Sequence, residues 1–460
     1  MQRYLVLLVT TLALAFCTSA CADGDGQSPN IIYILADDLG YGDLGCYGQE
    51  LIQTPRLDRM AAEGLLFTQH YSGSTVCAPT RCCLITGLHT GHAYIRGNGE
   101  LKTEGQRPIP ADAQTIPKLL KKAGYVTGCI GKWGLGGPGT HGAPNRQGFD
   151  YWFGYLCQRQ AHSYYPKHLW RNGEKVILDG NMGGKKQQYS HDLLTEDALE
   201  FIRQNKDEKF FLYLPYTIPH TAFQVPELGQ YADEPWSENQ RIQAAMISRM
   251  DRDIGTILDL LAELGLDDST LVMFASDNGP HSKGGTGGQF KASGPLRGSK
   301  RALYEGGIRV PMIARWPGRI AEGGETDLIS AQWDVLPTLA ELAEVEPTAP
   351  TDGLSFLPTL MGQADRQEQH PHLYWEFYEQ GGKQAVRMGQ WKALRLGVRS
   401  NPKGPLELYN LETDIGEQRN VAADHPELVE QMAAIMSAEH TPSEIWTFNK
   451  KPRKKPKNGE

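Results

Sequence analysis

The chain has 460 residues, a formal net charge of -8 at pH 7 and 40% hydrophobic residues. This length allows one large domain and a smaller one, each with its own core. The acidic balance argues against general nucleic-acid binding, because proteins that bind duplexes present a basic surface. It does not argue against a small anionic substrate, since a site can be locally cationic on an acidic protein.

The N-terminal residues 1–22 are typical of an export signal. Arg3 precedes a nearly unbroken apolar run at residues 4–16, which is too short to span a bilayer. Residues 20–22 then offer a small-x-small cleavage site. A lipoprotein with a lipidated Cys21 is the alternative, but Thr18 fits the lipoprotein pattern poorly. The sequence therefore favours an exported protein, periplasmic or secreted, and it contains no later stretch that is long and apolar enough to span a membrane.

Cysteine usage does not indicate a disulfide-rich or zinc-binding protein. There are eight cysteines, and none forms a C-x-x-C pair. We expect most of those after Cys21 to be buried thiols that behave as small hydrophobic residues.

Two adjacent carboxylates follow the first buried strand. Residues 30–36 are continuously apolar and rich in β-branched side chains, which is typical of a central parallel strand. Asp37 and Asp38 come next and would repel each other without a cation between them. A solvated turn is the alternative, since Asp and Gly are common in turns. Ligands bind at strand ends in α/β sheets, so we favour a hard cation such as calcium.

An exposed cysteine, Cys77, is predicted to precede a helix that Pro79 starts within residues 74–85. Pro79 suits the first helical turn, because it has no N–H group to leave unpaired. Cys77 is then near the positive end of the helix dipole, with Arg81 one turn later. The residues alone leave two interpretations open: a thiolate nucleophile, or a cysteine consumed by modification.

Three later strands are also followed by polar residues. The strands are predicted at 125–130, 210–214 and 271–275. The polar residues that follow them are Lys132 in a glycine-rich loop, His220 between loop residues, and Asp277 with Asn278. Oxygen acceptors at two strand ends could complete one calcium or magnesium shell. Lys132 could contact an anion, whereas His220 could be a site residue or an ordinary loop residue.

The remaining pattern predicts two structural units and a tail. Strands alternate with helices to about residue 342, which indicates a doubly wound sheet covered by helices. A glycine-rich segment at 280–294 is predicted to be a mobile loop near the site. Short strand-like pieces and one helix follow a polar boundary near residue 365. We predict a catalytic domain at 28–365, an α+β subdomain at 366–445 and a basic, disordered tail at 446–460.

These stretches resemble the type I sulfatases, the formylglycine-dependent members of the alkaline-phosphatase-like superfamily. The C-x-P-x-R modification signature of that family matches residues 77–81. Further matching blocks occur in the family's order at 37–43, 131–133, 219–220, 277–279, 297–300 and 408–411. The resemblance implies an α/β fold with a large mixed, mostly parallel sheet sandwiched by helices. It also implies a small C-terminal antiparallel sheet with one helix.

The resemblance further implies a mechanism and roles for the site residues. A maturation enzyme would oxidise Cys77 to formylglycine, whose hydrate attacks the sulfur of a sulfate monoester and then expels sulfate as the aldehyde re-forms. The implied calcium ligands, with magnesium as the alternative ion, are Asp37, Asp38, Asp277, Asn278 and the modified Cys77. Arg81 would steady the hydrate, and Lys132 and Lys300 would bind sulfate oxygens. Lys300 or His220 would protonate the leaving oxygen, and this choice stays open.

One departure and one substrate question remain. Many family members carry histidine where this chain has Gly134, and that histidine contacts the formylglycine hydroxyl. The sequence leaves open whether His141 replaces it or the base is absent.

Gln160 and His162, in an aromatic stretch, could line a sugar subsite or merely pack the loop. We expect a sulfated carbohydrate as substrate; the alternatives are a phosphatase or phosphonate monoester hydrolase, and a catalytically silent protein that binds sulfated glycans.

Overall fold

The first described strand is central in a ten-stranded sheet. The computed structural model describes residues 28–101, 104–281 and 286–448, except for the side chains of residues 286 and 287. The strand β1 (Asn30–Ala36) is buried along its whole length, as its apolar sequence predicts. The predicted export signal, Cys21 and the basic run at 450–457 lie outside the described residues, as do residues 282–285 of the glycine-rich segment.

The elements alternate along the chain as the sequence predicts. The strands after β1 are β2 (Leu65–Phe67), β3 (His70–Tyr71), β4 (Glu100–Leu101), β5 (Gly105–Gln106), β6 (Val126–Lys132), β7 (Tyr151–Tyr155), β8 (His168–Arg171), β9 (Glu174–Ile177), β10 (Phe210–Pro215), β11 (Thr270–Ser276), β12 (Met312–Arg315), β13 (Gly324–Thr326), β14 (Ser330–Ala331), β15 (Leu373–Phe377), β16 (Lys383–Met388), β17 (Trp391–Leu396) and β18 (Glu407–Asn410). The α-helices are α1 (Pro55–Ala62), α2 (Cys77–Thr86), α3 (Ile116–Lys122), α4 (Ser190–Gln204), α5 (Glu238–Glu263), α6 (Thr286–Phe290), α7 (Glu305–Ile308), α8 (Val335–Leu342), α9 (Leu357–Leu360) and α10 (Pro426–Ala438).

The large sheet is mixed and mostly parallel at its centre. Its strand order is β13-β2-β12-β11-β1-β10-β6-β7-β8-β9. Neighbouring strands from β11 to β7 are parallel, whereas β12, β8 and β9 are added antiparallel. Ala36 of β1 pairs with Ser276 of β11, so these two strands end side by side. This confirms the predicted fold and brings several strand ends to one edge.

Hydrophobic cores lie on both faces of this sheet. Ile31, Tyr33 and Leu35 belong to one core cluster, and the alternate residues Ile32 and Ile34 belong to the other. Helices α2, α3 and α8 contribute side chains to the first cluster, and α1, α4 and α5 contribute to the second. The helices therefore sandwich the sheet, and the two-residue period of the strand explains why both faces of β1 are apolar.

The C-terminal strands form a second, antiparallel sheet of order β15-β16-β17-β18. The helix α10 packs on it through Met432 and Met436, which confirms the predicted small sheet with one helix. Trp446 and Phe448 are buried, so the packed chain continues through the first residues of the segment predicted as a tail. The domain division at residue 365 remains a prediction.

A buried ion cluster joins this sheet to helix α7, which precedes strand β12 of the main sheet. Lys392 on β17 lies 2.8 Å from Glu305 Oε1 and 3.0 Å from Glu417 Oε1, and all three side chains are fully buried. Burial raises the pKa of Glu417 to about 7, and the nearby Glu305 carboxylate contributes in the same direction. Lys392 is thus the cation that both carboxylates share.

Two further findings concern membrane-spanning helices and the cysteines. In the described part of the chain, no helix combines the length and apolar character needed to cross a bilayer. The six cysteines of the described residues are free thiols, five of them buried, as the sequence predicted.

Candidate active site

Polar side chains converge at the carboxyl ends of four neighbouring strands. They are Asp277 and Asn278 after β11, Asp37 and Asp38 after β1, His220 beyond β10, and Lys132 at the end of β6. Parallel strands end at the same sheet edge, which is why residues far apart in sequence meet here. Each of these side chains is at least nine-tenths buried. The structure therefore brings together the strand-end residues that the sequence singled out.

Each of the two adjacent carboxylates has its own ammonium partner. Lys132 Nζ lies 2.5 Å from Asp37 Oδ2, and both side chains are fully buried. Lys300 Nζ lies 2.6 Å and 2.7 Å from the two carboxylate oxygens of Asp38. Burial alone would raise the pKa of the Asp37 carboxyl, but the adjacent Lys132 ammonium and other cations hold it well below its usual range. Both carboxylates are therefore charged in the folded protein.

Cys77 is buried as the first residue of α2 and faces these ion pairs, so the prediction of an exposed cysteine before the helix was wrong. Its Sγ lies 3.4 Å from Asp37 Oδ1 and 3.6 Å from Lys300 Nζ. Burial raises the pKa of the Cys77 thiol to about 12, and the Asp37 carboxylate contributes in the same direction. The nucleophile of a cysteine enzyme is the thiolate, which this environment disfavours at neutral pH. The raised pKa thus disfavours a thiolate at Cys77, and modification of this cysteine stays a prediction.

Arg81 ties three of the strand ends together from one turn into α2. Its guanidinium donates to Asp277 Oδ2 at 2.8 Å and to the Lys132 carbonyl at 2.7 Å. The same group lies 3.6 Å from Asp37 Oδ2. Burial, together with the Asp37 carboxylate, raises the pKa of Asp277 to about 7 despite this contact. Arg81 therefore fixes the carboxylates relative to the start of the helix.

Asn278 presents an oxygen atom that needs a partner. Its side-chain N–H group donates to Asp38 Oδ1 at 2.7 Å and to the Gly279 carbonyl at 2.9 Å. Its Oδ1 is buried and has no hydrogen-bond partner among the described residues. Such unpaired buried oxygens are costly and uncommon in native proteins. A cation held by this oxygen and the carboxylates would satisfy it, and hard cations such as calcium prefer oxygen ligands.

His220 and His162 lie together beside Asp38. His220 Nδ1 donates to the Thr221 carbonyl, and its Nε2 lies 3.5 Å from Asp38 Oδ2. Burial lowers the pKa of His220 to about 3. The ring of His162 stacks on that of His220 with centroids 4.5 Å apart. His220 is therefore neutral, with the unprotonated Nε2 directed at the site.

The two candidate substrate residues differ in their placement. His162 contacts a site residue, whereas the Gln160 amide donates to the His168 carbonyl of β8 at 2.8 Å. His141, considered as a replacement for the missing histidine, is exposed. The space above Gly134 is instead filled by Gln158, since a Cβ added at residue 134 would lie 2.0 Å from Gln158 Nε2.

The sequence patterns missed Gln158. It follows β7, the strand next to β6, much as the other site residues follow their strands. The rule that picked out Asp37 and Asp277 would have found it had β7 been predicted.

A second group of histidines and carboxylates lies apart from this site. His92 Nδ1 is 2.8 Å from Asp352 Oδ1, and His89 Nε2 is 3.0 Å from Glu439 Oε2. His372 Nε2 lies 2.9 Å from the other oxygen of Glu439. The hydrogen bond from His89 is the main cause that lowers the pKa of Glu439 to about 2. This cluster joins the end of α10 to the segments that contain His89 and Asp352.

Two family profiles cover most of the described chain. The profile named Sulfatase matches residues 29–345. A second profile, named N-sulphoglucosamine sulphohydrolase, C-terminal, matches residues 298–441.

Relatives and solved structures agree with these profiles. The chain is 37% identical over 399 residues to the N-acetylgalactosamine-6-sulfatase of Homo sapiens, covering 81% of this chain and 72% of the human protein. It is 32% identical over 534 residues to the N-acetylgalactosamine-6-O-sulfatase of Bacteroides thetaiotaomicron, covering 96% and 99%. The crystal structure of Ps i-CgsB in complex with k-i-k-neocarrahexaose superposes with a TM-score of 0.77 at 30% identity, covering 90% of this chain and 94% of that one.

Proposed function

The chain belongs to the sulfatase family of sulfuric ester hydrolases, and we propose that it removes sulfate from a sulfated glycan with residue 77 as formylglycine beside a bound calcium ion. The observation that carries this proposal is the meeting of Cys77 with three carboxylates and two ammonium groups at one buried point. The family assignment does not support the phosphatase and phosphonate hydrolase alternatives.

Calcium would be held by oxygen atoms of Asp37, Asp38, Asp277 and Asn278, with magnesium as the alternative ion. The unpaired, buried Oδ1 of Asn278 supports this assignment, and so does the oxygen-rich set of donors. When bound, the cation would supply positive charge that activates the nucleophile and neutralises the sulfate. Arg81 would hold Asp277 and the neighbouring carboxylate in place for it.

Residue 77 would act as an oxygen nucleophile rather than as a thiol. As formylglycine it would supply the hydroxyl of a hydrated aldehyde. The raised pKa of the buried Cys77 thiol supports this proposal, because it makes the unmodified side chain a poor nucleophile. Its place at the start of α2 adds the positive end of a helix dipole, which favours anionic chemistry there.

Lys132 and Lys300 would bind the oxygens of the sulfate group. Both ammonium groups are buried and held by carboxylates, so they are preorganised where negative charge develops in the reaction. We propose Lys300 rather than His220 as the proton donor to the leaving oxygen. The Nδ1–H group of His220 donates to the Thr221 carbonyl, so the neutral ring carries its proton on Nδ1 and has none on Nε2 to give.

The substrate proposal rests on the relatives. Two of them are named for 6-sulfated N-acetylgalactosamine, and one of these matches along nearly its whole length. We therefore propose a 6-O-sulfated hexosamine unit of a glycan as the first substrate to test. His162, stacked on His220, would contact the sugar, and export through the signal at residues 1–22 would bring the enzyme to extracellular glycans.

The test begins with the mass of the peptide that contains Cys77, from protein produced together with a formylglycine-generating enzyme. Formylglycine is lighter than cysteine by about 18 Da. We expect this loss, and we expect Cys77→Ala and Cys77→Ser to abolish turnover of an aryl sulfate while the protein still folds. Cys46→Ala, which changes a half-buried thiol elsewhere, should retain activity. An unmodified thiol in protein from its native source would instead indicate the silent glycan-binding alternative.

The matured enzyme should then be screened on sulfated mono- and oligosaccharides. We expect desulfation of 6-O-sulfated N-acetylgalactosamine, with loss of activity after chelation and recovery on adding calcium. Activity on other sulfated sugars alone would contradict the substrate proposal while leaving the sulfatase chemistry intact.

A further inference from the structure

The side chain of Gln158 is buried without any hydrogen bond. It lies just beyond β7 and is 2% exposed. Neither Oε1 nor Nε2 finds a hydrogen-bond partner in the described part of the chain. A buried carboxamide that pairs with nothing destabilises the protein, because it has lost its water and gained no partner. Such a group needs an explanation, and a bound ligand is one.

The carboxamide lies over Gly134, on a side of this glycine that Arg81 also borders. A Cβ added at Gly134 would be 2.0 Å from Gln158 Nε2 and 4.0 Å from Arg81 Cδ, so both groups border the same small space. Gly134 is two residues after Lys132, whose ammonium contacts Asp37. Gly134 also has a φ of +84°, a conformation in which other residues are strained. Gly134 thus leaves room that the Gln158 carboxamide occupies beside the site.

Other unpaired polar atoms lie close to Gln158. Arg81 Nε and Gln106 Nε2 are buried and also lack partners within the described residues. Gln106 is adjacent, since its Oε1 accepts a hydrogen bond from the Gln158 backbone N–H at 3.4 Å. Together these groups offer several N–H donors and one free acceptor, Gln158 Oε1. A ligand that matches them carries several acceptor oxygens and at least one hydroxyl.

We propose that Gln158 hydrogen-bonds to the reacting group: Oε1 accepts from a hydroxyl of the hydrated residue 77, and Nε2 donates to an oxygen of the bound sulfate. This inference rests on the proposed function. A carboxamide does not titrate, so Gln158 orients the hydroxyl and takes no proton from it. In this chain the side chain of Gln158, which follows the neighbouring strand β7, occupies the space that Gly134 leaves open.

The test compares stability with turnover in Gln158→Met, which keeps the length of the side chain and removes its polar atoms. Without substrate, we expect the variant to melt at a higher temperature than wild type, because two unpaired polar groups are gone. With an aryl sulfate, we expect kcat of the matured variant to fall about 100-fold. If the methionine variant does not fold, Gln158→Leu provides the same comparison.

Gln147→Met is the matched control. Gln147 is also fully buried, but its amide donates to the carbonyls of Pro110 and His141 at 2.9 Å and 2.8 Å. Its Oε1 accepts from Lys118 at 2.9 Å. Because these bonds would be lost, this variant should melt at a lower temperature. The opposite signs of the two changes in melting temperature distinguish a carboxamide that binds a ligand from one that stabilises the fold.

Two outcomes would overturn the proposal, and they differ from a failure of the proposed function. A Gln158→Met variant that melts lower and keeps its kcat would assign Gln158 to packing. A variant that melts higher and keeps its kcat would exclude contact with the reacting group. In both cases wild type still carries formylglycine and still turns over substrate. Wild type without formylglycine would overturn both proposals together.

Discussion

Replacing Lys132 with methionine removes the ammonium group nearest to Asp37 and should make the stability of the protein depend on calcium. Lys132 Nζ lies 2.5 Å from Asp37 Oδ2, and both side chains are fully buried. Methionine is unbranched and of similar length, so it fills much of the same buried space. The variant therefore leaves a buried carboxylate without its closest cation and changes little else.

The size of the effect follows from what remains around Asp37. Removing one partner of a buried ion pair typically costs about 3–5 kcal/mol. Arg81, at 3.6 Å from the same oxygen, still compensates in part, so we expect the lower end, about 3 kcal/mol. With an unfolding entropy of about 2.1 cal/mol/K per residue, that free energy corresponds to a decrease in Tm of about 3 °C for a chain of 460 residues. In the calcium-bound protein the cation replaces the lost ammonium, and most of the decrease should disappear.

The assay is thermal unfolding of wild type and Lys132→Met, each in chelator and in calcium. Ligand binding stabilises the folded state by mass action, so the increase in Tm on adding calcium measures binding at the site. This increase should be larger in the variant than in wild type. Activity should behave in the opposite way, with kcat falling by about 10² to 10³, because the sulfate loses a preorganised cation.

Lys121→Met is the control for removal of a lysine. Lys121 pairs with Asp150 on the surface, where both side chains are more than a third exposed. Such pairs contribute about 0–1 kcal/mol, so its response to calcium should equal that of wild type. A Lys132→Met variant with a calcium response no larger than that of wild type would refute the assignment of Asp37 as a metal ligand.

Two predictions concern ion pairs that join the C-terminal part of the chain to the rest of it. Lys392→Met should lower the free energy of unfolding in urea by about 3–5 kcal/mol, because Glu305 and Glu417 lose the cation they share; an unchanged midpoint would contradict this. Glu439→Gln should lower Tm near neutral pH. The pKa of Glu439 is lowered from 4.5 to about 2, so its contribution is complete above pH 4.5 and is lost as the pH falls toward 2. The difference in Tm from wild type should shrink over that range, and a constant difference would exclude the charge as its source.

The sequence predicted those parts of the site that depend on local signals. A buried strand that ends in adjacent carboxylates is readable from the run before Asp37, and the same holds for Asp277. A helix with Pro79 in its first turn was also predictable, although α2 begins two residues before this proline, at Cys77. In these cases the chemistry lies at the end of an element whose own sequence is periodic or continuously apolar.

Contacts that arise only from tertiary packing could not be predicted from such local signals. Residues 151–177 mix aromatic and polar residues, so β7, β8 and β9 were not predicted, and Gln158 was missed with them. Lys300 comes from a loop and reaches Asp38 across 262 residues of sequence. The sequence also gave no indication that Oδ1 of Asn278 would be left unpaired. Only the assembled sheet edge determines these contacts.

The charges of the site connect its stability to its chemistry. Among the described residues, the carboxylates of Asp37, Asp38 and Asp277 face the cations of Arg81, Lys132 and Lys300. Without a metal, the two lysines are therefore needed to balance buried carboxylates. A bound cation would take over that role and leave both ammonium groups available for the sulfate. Metal binding and sulfate binding would then be coupled through the same two lysines. A variant that lacks one of these lysines should separate the effect on metal binding from the effect on sulfate binding.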